Sequence, residues 1–326
     1  MKVLFIGGTG TISTAVSRLA IEKGIELYHL NRGQRAKPVD GVKTLVGDIH
    51  QSESLQKALE GQQFDVVVDW IAFKTEDIER DLALFRGKVK QFIFISSASA
   101  YQKPVNNHII TESTPLYNPF WEYSRNKIAC EDMLMAAYRE DGFPMTIVRP
   151  SHTYDFNLPL SIGSGYTVPD RMKKGLPVVV HGDGTSLWVV THSEDFARGF
   201  IGLLGNLRSI GHAFHITTDE VLTWNQIYDT LADALGVKAN VVHISSEFIA
   251  QVAPSVGPGL IGDKAHSVVF DNSKIKSFVP EFKAVIPFRE GVRRTLAWFE
   301  ADANRLKIND TVNEEMDKIL SAYARK

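Results

Sequence analysis

In the stretch PFWEYSRNKIAC, residues 119–130, Tyr123 stands four residues before Lys127. At that spacing a phenol and an ammonium share one face of a helix, a single turn apart. A free phenol, with a pKa near 10, is a poor base at neutral pH. A neighbouring ammonium stabilises the phenolate and lowers that value, making a general base able to take the proton of a hydroxyl group. Chance also has to be weighed. With nine tyrosines in the chain, and roughly one residue in twenty a lysine, about half a match is expected from composition alone. The spacing acquires meaning from what surrounds it. Ser97, in ISSASAY (95–101), precedes Tyr123 by a loop and a helix start, enough to bring the two hydroxyls together.

The elements that must position these groups are legible upstream. Residues 2–6, 25–30, 43–46, 64–69, 91–96 and 144–148 are short runs rich in β-branched and aromatic residues, which predicts strands. Segments with helical spacing separate most of them. In TAVSRLAIEKG the residues Val16, Leu19 and Ala20 share a face and Gly24 stops the helix, and in SESLQKALEG Ser52 is the expected N-cap. Strands alternating with helices predict right-handed βαβ units and a parallel sheet covered on both faces. After about residue 150 the alternation loosens, and helices are expected at 223–236 and around 289–305, in a smaller mixed lobe.

The first strand runs directly into GGTGTIS, residues 7–13. Glycines at this place allow a tight turn and close backbone approach to a pyrophosphate, and the helix that follows offers its N-terminal N–H groups. The pattern reads either as Gly8, Gly10 and Ser13 or as Gly7, Gly10 and Ser13, with serine as the small third residue. The expected cofactor contacts here are Gly7, Gly10, Thr11 and Ile12. The second strand ends in LNRG, where Asn31 replaces the acid that commonly binds the ribose hydroxyls of NAD. Arg32 either pairs with a 2′-phosphate, stacks on the adenine or is a solvated loop residue. The missing acid removes a repulsion, so the cofactor is read as NAD or NADP, with NADP slightly favoured.

Composition narrows the classes. The chain of 326 residues is 44% apolar and 23% charged, as in ordinary globular proteins, and its formal net charge is −2. That balance makes nucleic acid an unlikely main partner. Its one cysteine, Cys130, excludes an intrachain disulfide and a CxxC metal site, and no metal is expected. The opening apolar run VLFI is too short for the core of a signal peptide, and no apolar stretch approaches the roughly 18 residues of a membrane span. The expected location is cytoplasmic.

Taken in order, GGTGTIS, GDI at 47–49, ISSASAY, the Tyr123–Lys127 spacing, VRPSHTY at 148–154 and HSEDFA at 192–197 resemble the extended short-chain dehydrogenase/reductases of the NAD-dependent epimerase/dehydratase family. The resemblance covers nearly the whole chain. It implies a Rossmann-type doubly wound α/β fold, with residues 1–165 binding the dinucleotide, residues 166–326 forming a substrate lobe, and some segments interleaved. It implies that Ser97, Tyr123 and Lys127 form a catalytic triad, with Lys127 also holding the nicotinamide ribose. Asp48 and Ile49 match the family's adenine-side contacts, and Trp70 and Ile71 fall where the cofactor is lined, although Trp70 is equally read as strand-end packing. Ser99 and His152 occupy substrate-facing positions, His152 with a structural role as the alternative. A homodimer through the Tyr123 helix is the family expectation.

Departures from the family pattern narrow the reaction. Dehydratases of the family carry an Asp-Glu pair directly after the catalytic Ser or Thr, and here those residues are Ala98 and Ser99. Epimerisation or net oxidoreduction of a sugar or nucleotide-sugar hydroxyl is therefore expected, without dehydration. Many nucleotide-sugar members place an arginine four residues before the histidine of the HSEDFA-like motif, and here Trp188 stands there. Trp188 is read either as a ligand-stacking residue or as core filler. SLWVVTHSEDFA, TTDEVLTWNQIY and LNRG also resemble a branch that includes plastid stem-loop RNA-binding proteins. RNA binding on a retained enzyme fold is thus one alternative, and a non-catalytic NADP-binding regulator is another.

Overall fold

The computed structural model describes residues 1–33, 39–163 and 165–325. Its frame is seven parallel strands: β1 (Lys2–Ile6), β2 (Glu26–Asn31), β3 (Lys43–Val46), β4 (Val66–Asp69), β5 (Gln91–Ile95), β6 (Met145–Pro150) and β7 (Ala213–Ile216). They lie in the order β7-β6-β5-β4-β1-β2-β3. The chain winds outward in both directions from the β1–β4 pair, so a crevice opens beyond the C-terminal ends of these two strands.

Alternation along each strand feeds two cores. Val3 and Phe5 of β1 face one side of the sheet, with Val16 and Ala20 of α1 (Thr11–Glu22). Leu4 and Ile6 face the other side, where α2 (Ser52–Leu59), α3 (Thr75–Phe85) and α4 (Glu122–Asp141) contribute Leu55, Ile78 and Leu134. Helix α1 stops where expected, at Gly24 with φ +75°. Helix α2 differs by one residue from the sequence reading. Gln51 occupies the cap position in extended backbone, and its carbonyl already accepts from Leu55 N–H, so Ser52 lies inside the helix.

The sheet does not end near residue 165. Its edge strand β7 and the helix α5 (Ser193–Ile201) come from the second half of the chain, and Phe196, Phe200, Phe214 and Ile216 complete the α1 side of the core. The remaining second half builds its own core around the strand Pro177–His181, α6 (Trp224–Leu235) and α7 (Phe288–Glu300). Thr223 and Gln226 cap α6 reciprocally, and Gly236 ends it with φ +69°. No helix among the described residues is long and apolar enough to cross a membrane.

Candidate active site

At the mouth of the crevice, Gly7 and Gly8 have φ of +94° and +86°. A Cβ on Gly7 would lie 2.7 Å from Ile71 Cγ2, and one on Gly8 would lie 2.7 Å from the His29 ring. Both positions thus need glycine for conformation and for space. Gly10 differs, because its backbone is extended and a Cβ there would meet only Ser13 Oγ at 3.5 Å. Ser13 does more than stay small, since its Oγ accepts the Gly10 N–H at 2.8 Å. Helix α1 starts at Thr11, directly after this turn, and a helix N-terminus so placed suits a phosphate. Thr11 Oγ1 also donates to Asn157 Oδ1 at 3.2 Å, and the Ile12 side chain packs on the core.

A cavity of about 460 Å³ continues from the glycines past Asn31, Arg32, Asp48, Ile49 and Ile71. Asn31 Oδ1 accepts from Gly33 N–H at 2.9 Å, which leaves the amide nitrogen as the donor of this side chain. The Asp48 carboxylate accepts from His50 N–H at 3.0 Å. Ile49 is buried in the core beneath the cavity. The Trp70 ring is turned away from it. Its centroid lies 5.4 Å from that of Phe5 and 5.1 Å from that of Phe200, in the α1 and α5 core. The ring thus takes the strand-end packing that the sequence offered as one of two readings, because strand alternation sends residue 70 to that face. Ile71, the next residue, is the one that covers Gly7.

A second cavity, of about 200 Å³, is lined by Ser97, Ser99, Tyr123, His152 and Trp188 among others. Ser97 follows β5 in extended backbone, and its Oγ accepts the Ser99 N–H at 3.2 Å. The Ser99 hydroxyl sits between Ser97 Oγ at 2.9 Å and Ser124 Oγ at 2.8 Å. Tyr123 lies in the first turn of α4 with its ring against Trp121 and Phe73. Burial pushes the Tyr123 phenol above its ordinary value, the nearby Ser97 hydroxyl pulls it back, and the charge of Asp263 adds to the rise.

Lys127 is buried, with Nζ donating to Ala72 O at 2.7 Å and Ile95 O at 2.8 Å, and 6.0 Å from the Tyr123 ring centroid. Burial lowers its pKa and the carboxylate of Asp69 opposes that change. The ammonium ties the end of β4 to the end of β5. The ammonium thus stands beside the phenol without a hydrogen bond to it. With two of three N–H bonds used, Lys127 keeps one donor.

His152 Nδ1 accepts from Trp188 Nε1 at 3.0 Å, which assigns the histidine proton to Nε2. Burial pushes His152 down to about 3, so the ring is neutral. Trp188 packs in the core at the edge of this cavity. It is 2% exposed and packed on Trp224 at 5.2 Å, and it also lines the cavity. Three residues of the cavity region escaped the sequence reading. Asn118 Nδ2 donates to Ser99 O and Gly262 O, and Lys103 and Asp263 line the wall. The Asn-Pro pair just before α4 was the one available signal, for Asn118. Cys130 is buried, with its thiol pushed up to about 12 by burial, as a packing residue would be.

Comparison with known proteins places this architecture. Residues 3–217 match the model of the NAD dependent epimerase/dehydratase family. The 2′-dehydrokanamycin reductase of Streptomyces kanamyceticus is 25% identical over 257 residues, 77% of this chain and 71% of the relative. The chloroplast stem-loop binding protein of 41 kDa b of Arabidopsis thaliana is 26% identical over 262 residues, 74% of this chain and 65% of that protein. Among solved structures, UDP-glucose 4-epimerase from Bifidobacterium longum, in complex with NAD⁺ and UDP, superposes with a TM-score of 0.75 at 20% identity, over 93% of this chain and 99% of that one. The glycine turn, with positions that tolerate no Cβ and a helix start beyond them, fits the dinucleotide that gives the family its name. The chain belongs to the NAD dependent epimerase/dehydratase family.

Proposed function

We propose that the protein is an NAD(P)-dependent oxidoreductase or epimerase in which Tyr123 moves the proton of a substrate hydroxyl on a sugar-like compound. The observation that carries this reading is that Ser97 and Tyr123 line the same small cavity, with the buried Lys127 ammonium 6.0 Å from the Tyr123 ring centroid. Gly7, Gly10, Thr11, Asn31, Asp48 and Lys127 would hold the dinucleotide. When bound, its oxidised ring supplies the hydride acceptor and a positive charge.

That charge and the free donor of Lys127 lower the phenol that burial has raised. The phenolate of Tyr123 then takes the hydroxyl proton. Ser97, held in place by Ser99 and Ser124, donates to the same substrate oxygen. His152 Nε2–H is a further neutral donor on the cavity wall. Ala98 and Ser99 offer no carboxyl for elimination, which supports oxidoreduction or epimerisation over dehydration. Asn31, in place of an acid, and the exposed Arg32 at the cavity rim support NADP over NAD. A relative reduces a dehydrokanamycin, and a sugar-derived ketone is the corresponding substrate class for this cavity.

Tyr123→Phe tests the reading. It removes one oxygen and keeps the ring packing, so turnover should fall roughly 10²–10⁴-fold, while cofactor affinity measured by calorimetry stays within a few-fold. Full turnover in that variant would remove Tyr123 from the chemistry.

A further inference from the structure

Two opposite charges from distant parts of the chain face each other in the wall of the second cavity. Lys103, just beyond the short turn at 98–100, is 1% exposed. Asp263 lies in a π-helical segment, Leu260–Lys264, of the second lobe. Lys103 Nζ and Asp263 Oδ1 are 3.9 Å apart, beyond hydrogen-bond length, and among the described residues neither charged group has a hydrogen-bond partner. Lys103 is buried and Asp263 half-buried, and a charge drawn out of water in this way ordinarily acquires such a partner.

The placement is rigid. A Cβ on Gly262 would lie 2.9 Å from Trp121 Cβ, so the segment carrying Asp263 packs directly on the loop that leads to Tyr123. Asn118 bonds Gly262 O at 2.7 Å and Ser99 O at 2.9 Å, joining that segment to the Ser97–Ser99 turn. Single-turn π segments of this kind often mark functional sites.

Geometry and charge select the group that completes the pair. One oxygen lying within hydrogen-bond reach of both atoms must accept from the ammonium and donate to the carboxylate. A hydroxyl does both. A carbonyl oxygen leaves Asp263 unmet, an ammonium is repelled by Lys103, and a carboxylate is repelled by Asp263.

We propose that Lys103 and Asp263 form a specificity-determining dyad that reads one hydroxyl of a polyhydroxy substrate, at a carbon other than the one that reacts at Tyr123. This rests on the reading of the cavity as the substrate site.

The test uses methyl β-D-glucopyranoside and its monodeoxy analogues, titrated by saturation-transfer NMR into the NADP⁺-saturated protein. Removal of one particular hydroxyl should weaken binding at least about tenfold in the unmodified protein. Asp263→Asn and Lys103→Met should each erase that discrimination. Should either single variant fail to fold, the double variant Lys103→Met/Asp263→Leu, which leaves no unpaired charge, should fold and show none. Three results would overturn the proposal: no saturable binding of the glycoside, no hydroxyl whose removal matters, or variants that discriminate as the unmodified protein does, as a pair bridged by a structural water would allow. The same titration on Tyr123→Phe separates this from the catalytic reading, because ligand binding requires no proton transfer. Failure of the dyad leaves the turnover loss of Tyr123→Phe intact, and failure of the Tyr123 role leaves the dyad's discrimination intact.

Discussion

The glycine crevice and the small cavity beyond it are built from different materials. The crevice is mostly backbone: two glycines at positive φ, the start of α1 and the ends of β1 and β2. The cavity is made of side chains that arrive from residues 97–103, 121–123, 150–152, 188 and 263–270. Backbone in a regular strand–turn–helix unit satisfies its own hydrogen bonds, so the crevice can stand ready without help. Buried hydroxyls, imidazoles and charges need partners, so the cavity holds its shape only through a network such as Ser124–Ser99–Ser97 or Trp188–His152. Substitutions that remove a bonded partner in the cavity should therefore disturb stability and chemistry together. In the crevice the two should separate wherever the backbone has free space beside it, as at Gly10.

Tyr123 and Lys127 stand where the two regions meet, and the largest effects are expected there. Tyr123→Phe should affect turnover alone. Lys127→Met should lower turnover by roughly 10²-fold or more, if the residue aids proton transfer as well as binding. It also leaves the Ala72 and Ile95 carbonyls without their shared donor, at a cost of about 1–3 kcal/mol in stability. Cofactor affinity should drop about tenfold if the remaining N–H reaches the ribose. Steady-state kinetics, calorimetric titration and melting give the three readouts. A Lys127→Met protein that binds cofactor normally would reduce the lysine to a bolt between β4 and β5.

His29 offers a test of the crevice's foundations. Its ring lies under Gly8, stacked 5.7 Å from Phe5, with Nε2 2.8 Å from Ser17 Oγ. Burial pushes it down from 6.5 to about 4. The unfolded chain takes up this proton near pH 6.5 and the folded protein resists until about 4. The contribution is thus fully present above pH 6.5, and stability falls as the pH drops from 6.5 toward 4. The limit is about 3 kcal/mol, from 1.36 kcal/mol per pKa unit. Denaturant melts of the unmodified protein and His29→Gln across this window should differ in slope by up to one proton. Parallel curves would mean that His29 is protonated in the folded state.

The same division explains what could be read in advance. β1, the glycine turn and α1 are contiguous, so a strand pattern, two glycines and a helical face within 25 residues or so describe one unit. The sheet order follows from such units, and the family motifs fall in the same register. Lys103 and Asp263 carry no comparable signal, being 160 residues apart in sequence (103 to 263) and brought together by tertiary packing alone. Trp70 shows the limit at close range. Its place at a strand end was legible, but the slot between Phe5 of β1 and Phe200 of α5 that takes its ring was not, because Phe200 comes from a helix 130 residues away (70 to 200). The position of Lys127 on α4 was likewise readable, whereas its two carbonyl acceptors at the ends of other strands were not.

Gly8 and Gly10 provide the sharpest contrast inside the crevice. Gly8→Ala sets a Cβ 2.7 Å from the His29 ring at φ +86° and should destabilise the fold by about 1–3 kcal/mol, weakening cofactor binding as a consequence. Gly10→Ala meets only Ser13 Oγ at 3.5 Å, at φ −82°. Its melting temperature should stay close to the original while cofactor affinity falls several-fold, since the methyl group enters the space above α1. Melting curves with and without cofactor resolve the two cases. If Gly10→Ala binds cofactor unchanged, the pyrophosphate does not pass over this residue.

The smallest effect is expected at the outer end. Arg32 is exposed on the rim of the 460 Å³ cavity, next to an asparagine that adds no charge of its own. An exposed guanidinium gains little from most ligands, because water and salt screen it. A phosphate monoester is an exception, since the planar fork can engage two of its oxygens at once. Arg32→Ala should therefore weaken NADP by about tenfold or less and leave NAD nearly unchanged. The NADP effect should shrink as ionic strength rises, whereas stacking on adenine would be felt by both cofactors and would persist in salt. Calorimetric titration of each cofactor at low and high salt separates these outcomes. Equal losses for NAD and NADP would transfer Arg32 from phosphate recognition to the adenine face, and a strong NAD preference in the unmodified protein would remove the case for NADP.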